Sequence, residues 1–441
     1  MLQTLRMFAT SRSRATAPHS SRHDRRLLAF VAVWAAAACC ILLDARGASA
    51  ARGQASVELN FHVQPLREPA VVGQVEAMDA DSITIAGKKV AWTSVWFFHG
   101  PAPTIVSTGL VELRLTNGER LVGDILGGDE DGNALTLRSA SFGSVEVAID
   151  DIALVRVRGP SGWADEARFA RARGVDERDI IFRETALGFD PVRGVLERVE
   201  AKGLRFEVEG GTSELFAWDS IAGLTLPRSE SSAESKVSGD RLRLVVLTTE
   251  GSRVHVRGKT SDGEALVFEH ARFGELRVDR ARVLSGHVVD PSTRVLLSGL
   301  DPVEVVERDL LSETALYDWR RDRSVVGREL CVARRCFTSG IGAHAHSRLT
   351  FLVPDGVKEL RSWIGADDSA VLDGRAGDMR YRILRGDEVL AEVASVRGGK
   401  AAQPLPPIAV EAGQRVVLEI DFGQALHILD RGDWLVPVFV R

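Results

Sequence analysis

From Val111 the chain reads Val-Glu-Leu-Arg-Leu-Thr-Asn-Gly118, apolar and charged positions alternating until an Asn-Gly pair. A period of two places successive side chains on opposite faces, so this stretch is a half-buried strand, and Asn117-Gly118 predicts a tight hairpin turn. Short apolar runs continue over 120–125, 134–137, 143–150 and 152–157, with an Asp/Gly turn at 129–132. The same order returns at 190–196, 203–208, 214–218 and 221–226. It returns again at 242–247, 254–258, 265–268, 274–278 and 281–284, and a degenerate copy occupies 72–75, 81–85 and 89–92. Stretches with a 3.6-residue period are nearly absent. The pattern therefore predicts an all-β chain, and four or five short strands per unit suit a small, strongly bent barrel.

By this reading 57–105 is a degenerate β repeat, 109–159 a first full barrel, 178–227 a second and 241–290 a third. The turn spacing resembles SH3-like or Sm-like barrels, most closely in 110–158. Between the units, 160–177 is rich in Ala, Arg, Asp and Glu and predicts a short helical linker. The segment 228–240, with five Ser among alternating charges, predicts a flexible one. From residue 292 to 441 the pattern changes and predicts a separate β-sandwich.

Composition narrows the function. The 441 residues are 45% hydrophobic and 27% charged, with a formal net charge of -5. Basic residues are scattered among acidic ones, which excludes a nucleic-acid partner that reads a phosphate backbone. The N-terminus differs. Six Arg precede an apolar run from Leu27 to Leu43 and then Ala48-Ser49-Ala50, the three parts of a secretory signal with cleavage after Ala50. The expectation is an exported protein of the periplasm, cell surface or extracellular space. If the segment 1–50 stays uncleaved it is a membrane anchor. Only Cys331 and Cys336 lie beyond that leader. Flanking Val-Ala-Arg-Arg, they either close a hairpin as a disulfide or remain buried thiols; two further ligands for a zinc site are missing.

The C-terminal segment carries landmarks in a fixed order: Leu297-Ser-Gly-Leu300-Asp-Pro302, Gly340-Ile-Gly-Ala-His344-Ala-His346, Gly365-Ala-Asp367-Asp368 and Asp433-Trp434. This order resembles the NPCBM/NEW2 family. The resemblance implies a jelly-roll, galactose-binding-like β-sandwich that takes carbohydrate. It departs from the family at Arg431-Gly432, where His-Ala usually precedes Asp-Trp.

On the residues themselves, Gly340 and Gly342 read as a tight bend. His344 either satisfies buried backbone groups or meets a sugar hydroxyl, and His344-Ala-His346 would set both rings on one strand face. Asp367 and Asp368 either cap a turn or hold a structural Ca²⁺. Trp434 and Trp363 are either core or sugar-stacking platforms, as is Trp319. The carbohydrate-binding candidates are therefore His344, Trp363, Asp367, Asp368, Asp433 and Trp434. No other cofactor is expected.

No nucleophile elbow, His-Glu-x-x-His, P-loop or dinucleotide fingerprint occurs. The sequence thus reads as a non-catalytic, multi-module protein that binds a glycan or cell-surface polysaccharide through its terminal sandwich. The other reading is a structural protein whose β modules contact envelope proteins. A solvent-open tryptophan shelf beside His344 would favour the first; three buried indoles would favour the second.

Overall fold

The computed structural model describes residues 59–441 except 103, 107, 160–161, 164–168, 170–177, 186–187, 227–241, 309–316 and 425–427. The expected leader with its Ala50 cleavage site and the expected flexible linker at 228–240 lie outside the described residues. So does most of the expected helical linker 160–177; of its described residues, Gly162–Trp163 form a two-residue strand on the end of Ile152–Gly159 and Phe169 is helical.

The alternating runs fold as they read. In the second unit Val111–Leu115, Arg120–Gly128, Ala134–Ser139 and Gly143–Ala148 form an antiparallel meander. A one-turn 3-10 segment, Ile149–Asp151, then leads into the closing strand Ile152–Gly159, which pairs back onto Val111–Leu115. Gly118 takes the left-handed conformation (φ 82°) that the Asn-Gly turn requires. The third unit repeats this order with the 3-10 turn at Trp218–Ser220, and the fourth with Arg280–Arg282. The degenerate first unit has its turn at Trp92–Ser94. All four share one irregularity: the register slips between the second and third strands, at Val75/Ala77, Ile125/Gly127, Leu196/Arg198 and Gly258/Thr260. An extra residue there bends the strand so that one long strand serves both sides of a tightly curled sheet.

The units are stitched together by their closing strands. Val95–His99 of the first pairs with Val283–Val289 of the fourth, and Ile152–Gly159 of the second pairs with Gly223–Thr225 of the third. Each closing strand thereby covers an edge that would otherwise be open to aggregation.

The C-terminal part is a β-sandwich. In one sheet Arg431–Val440 is central, flanked by Gly340–His344 and Glu359–Ala366. In the other, Glu304–Glu307, Ser347–Leu352, Arg415–Phe422, Asp378–Arg385 and Glu388–Arg397 lie side by side. Leu349, Phe351, Ile364, Tyr381, Leu418, Trp434 and Phe439 fill the space between them. The strand Arg431–Val440 is an almost unbroken apolar run because both its faces are covered. Trp434 and Phe439 enter the sandwich core, while Leu435, Val436, Val438 and Val440 pack with Trp96 and Phe97 of the first unit.

That second face welds sandwich to repeats. Trp96 Nε1 donates to the Val436 carbonyl at 3.0 Å, and the buried Arg294 guanidinium donates to the carbonyls of Thr93 and Val95. The hairpin Leu330–Val332/Arg335–Phe337 enters the same junction, with Cys331 and Cys336 directly paired and joined as a disulfide.

Buried histidines line this junction. His99 packs edge-on to Phe337 at 4.7 Å, with His62 and Arg335 nearby. His287 faces Thr338 Oγ1 at 2.6 Å, with Arg253, Asp322, His255 and Arg294 around it. Burial, reinforced by the neighbouring arginines, holds both imidazoles down to about 3 from an ordinary 6.5. A folded value below the unfolded one contributes stability that is full above pH 6.5 and is lost as pH falls toward 3. Each histidine adds a slope of about 1.4 kcal/mol per pH unit across that window. His287→Gln is expected to flatten the urea-derived stability profile by that amount between pH 6 and 4. A variant curve parallel to the wild type would refute the assignment.

Candidate functional site

Three strand ends meet at one end of the sheet that contains Arg431–Val440. His344 closes its strand directly opposite Arg431, and Ala366, opposite Gly432, leads into the turn 367–370. Tyr317, just before Arg320–Arg321, lays its ring on His344 with centroids 5.5 Å apart and planes at 27°. The Arg431 guanidinium stands over Tyr317 at 5.5 Å, a cation–π arrangement. Its Nη1 donates to the Ser369 carbonyl at 3.0 Å and its Nη2 to the Tyr317 hydroxyl at 3.4 Å. Its Nε–H is buried with no acceptor among the described residues. His344 Nδ1 faces the Ala345 carbonyl. A carbonyl only accepts, so Nδ1 carries a proton there.

The floor beneath is acidic and closed. Asp367 accepts from the Ser369 N–H at 2.9 Å and so shapes the turn that presents the Ser369 carbonyl. Asp433 is fully buried, and burial, with the charge and hydrogen bond of Asp367, pushes its carboxyl well above the usual range. Burial likewise raises Asp430 to about 7, where it accepts from the Asp378 N–H at 3.3 Å. Gly432 is required by close approach: a Cβ there would lie 2.1 Å from the Tyr381 hydroxyl. Glu307, raised to about 7 by burial, accepts from the Trp319 N–H at 2.8 Å and pins the segment that carries Tyr317.

Residues 297–440 match the NPCBM/NEW2 domain. This part of the chain is an NPCBM/NEW2 domain. It is similar, at 32% identity over 143 residues, to alpha-1,3-galactosidase B of Akkermansia muciniphila. That match covers 31% of this chain and spans only 17% of the galactosidase's length. Among solved structures, the CBM51 module of Clostridium perfringens GH95 in complex with methyl-galactose is 17% identical. It covers 33% of this chain and 99% of its own, with a TM-score of 0.29. The tandem CBM51 modules of the family 98 glycoside hydrolase of Streptococcus pneumoniae are 13% identical, covering 75% of this chain and 88% of theirs, with a TM-score of 0.29.

Within the NPCBM/NEW2 domain the residues singled out from sequence separate. His344 and Asp367 are at the strand ends. Asp368 turns the other way and accepts from the Arg334 N–H at 3.0 Å, at the tip of the disulfide hairpin. The two adjacent carboxylates thus meet different partners, and no group of three or more His, Cys, Asp or Glu suited to a metal occurs among the described residues. Asp433 is enclosed below the site.

Trp434 has no exposed surface and packs edge-on to Tyr381 at 5.1 Å, so it is core and offers no face to a sugar. Trp363 stands edge-on to Phe97 at 5.5 Å in the junction with the repeats, away from His344. Trp319 is half-buried with the Arg321 guanidinium 5.1 Å from its ring. Among the described residues the aromatic ring beside His344 is Tyr317, and no tryptophan shelf faces it.

Two local expectations also change. Gly340 and Gly342 lie in an extended strand rather than a bend. A Cβ on either would strike the Trp434 or Arg323 carbonyl, at 2.3 and 2.4 Å. His344 and His346 are not on one strand face, because the chain passes from one sheet to the other at Ala345. His346 pairs with Asp421 at 3.2 Å on the second sheet.

Sequence reasoning missed Tyr317 and took Arg431 only as a departure from the family pattern. Composition held a clue: the chain has two tyrosines, and both serve this domain, Tyr381 in its core and Tyr317 at its end.

Proposed function

We propose that this is an exported, non-catalytic protein whose NPCBM/NEW2 domain holds a glycan at Tyr317, His344 and Arg431, with the four β repeats as its platform. The observation that carries this reading is the unpartnered Nε–H of Arg431 beside Tyr317 and His344. A pyranose presents hydroxyls that both give and take hydrogen bonds, and the Arg431 Nε–H is a donor for one of them. A non-catalytic role is supported by the nearby carboxyls, which are enclosed or committed to backbone N–H groups and leave no acid–base pair facing the site. The basic and apolar leader ahead of Ala50 and the Cys331–Cys336 bond support export. An SH3-like character for the repeats is supported by the shared five-strand order with its 3-10 turn.

The test is calorimetry on the intact chain, since the repeats cover an apolar face of the sandwich. Methyl galactoside and N-acetylglucosamine, each with and without Ca²⁺, are the first probes, followed by a glycan array. Saturable binding supports the reading. No response to any glycan, together with capture of a stoichiometric envelope protein, would replace it with the assembly role.

A further inference from the structure

The outer face of the sheet that begins at Glu304–Glu307 divides into two unlike halves. In one half the charges of the central strands are paired, Arg348 with Glu419 at 3.4 Å, Arg380 with Asp421 and Arg382 with Glu419, and the His346 ring lies 3.2 Å from Asp421. The other half is a hollow of about 430 Å³. Register sets its walls. Glu304 lies opposite Thr350, Val306 opposite Arg348, and Thr350 opposite Val417, so these side chains share the face. Val306, Thr350 and Val417 form the floor, the last two buried.

Around the rim stand Glu304, Arg308, Asp387 and Arg415. None of these four side chains has a hydrogen-bond or ion-pair partner among the described residues. Two guanidinium groups and two carboxylates thus border one hollow without neutralising one another, while Arg348 and His346, which also line it, meet Glu419 and Asp421.

We infer that this hollow is a second sugar-binding site, separate from the strand-end cluster of Tyr317, His344 and Arg431. Its size is that of a small-ligand pocket, which typically runs from about 300 to 1,000 Å³. Among the side chains left unpaired at the rim both signs occur, Arg308 and Arg415 with Glu304 and Asp387, which disfavours a simple anion or cation, since each would meet like charge. A polyhydroxylated ligand suits both signs at once, its hydroxyls donating to the carboxylates and accepting from the guanidinium groups. The valines of the floor take the apolar C–H face of a pyranose ring. His346 lines one end of the hollow, two residues from His344 in the other site. The choice of sugar probes rests on the glycan-binding reading above.

The experiment is calorimetry on the intact chain carrying Arg431→Ala, with methyl galactoside and N-acetylglucosamine as probes. Binding of one probe is expected to persist in this variant and to weaken at least tenfold when Glu304→Gln and Arg415→Gln are added. In the chain with Arg431 restored, the same two rim changes are expected to leave the stronger binding event within twofold of wild type. If Arg431→Ala binds neither probe while the wild type binds, the second site is refuted and the first stands. Residual binding that survives both rim changes also refutes it. If the wild type binds neither probe, the second site falls together with the glycan reading for these sugars.

Discussion

Arg294→Ala is expected to destabilise the intact chain by about 1–3 kcal/mol in urea unfolding, the cost of leaving the buried Val95 carbonyl without its donor. The Arg294 side chain begins the sandwich, is 3% exposed and reaches across to Thr93 and Val95. Those carbonyls belong to the 3-10 turn and closing strand of the first unit, and the Val95 carbonyl is buried. Burial depresses the guanidinium to about 10 against the opposing charge of Asp290. Truncation relieves that desolvation cost but leaves the Val95 carbonyl without its donor and a void at the junction, and the second effect is expected to dominate. Limited proteolysis near residue 290 is expected to accelerate in the variant. A wild-type urea midpoint would show that the junction does not depend on this contact.

Arg431→Ala is expected to weaken the stronger sugar-binding event ten- to a hundredfold, about 1.4–2.8 kcal/mol. The loss combines the Nε–H donor with the cation–π contact that steadies Tyr317. Arg431→Lys is expected to recover little, because an ammonium lacks the planar fork that spans Ser369 and Tyr317 while presenting Nε–H. Titration calorimetry decides between these outcomes, with thermal unfolding as the control for folding. Unchanged affinity in Arg431→Ala would move the site elsewhere on the domain.

Much of this was legible along the chain. Asn117-Gly118 and the alternation before it specify a hairpin through local backbone geometry alone. The Cys331–Cys336 pair was legible for the same reason, being closed by a short hairpin. The ordered landmarks from Leu297 to Trp434 identified the terminal sandwich, and the match over 297–440 agrees.

The site itself was not legible. Trp363 and Trp434 looked alike as aromatic residues on strands. One is enclosed in the sandwich core and the other wedges against Phe97, a residue far away in sequence. Asp367 and Asp368 looked like one acidic pair, yet a turn sends them in opposite directions.

Alternation, turn residues and the ordered motifs by themselves determined the all-β class, the repeating hairpins and the identity of the terminal domain. These depend on backbone preferences within a few residues. Only the tertiary structure decided that the closing strands stitch the repeats in pairs, that the sandwich is welded to them, and that Arg431 faces His344. Those facts rest on strand register between distant segments, where shifting one residue would turn every side chain to the other face.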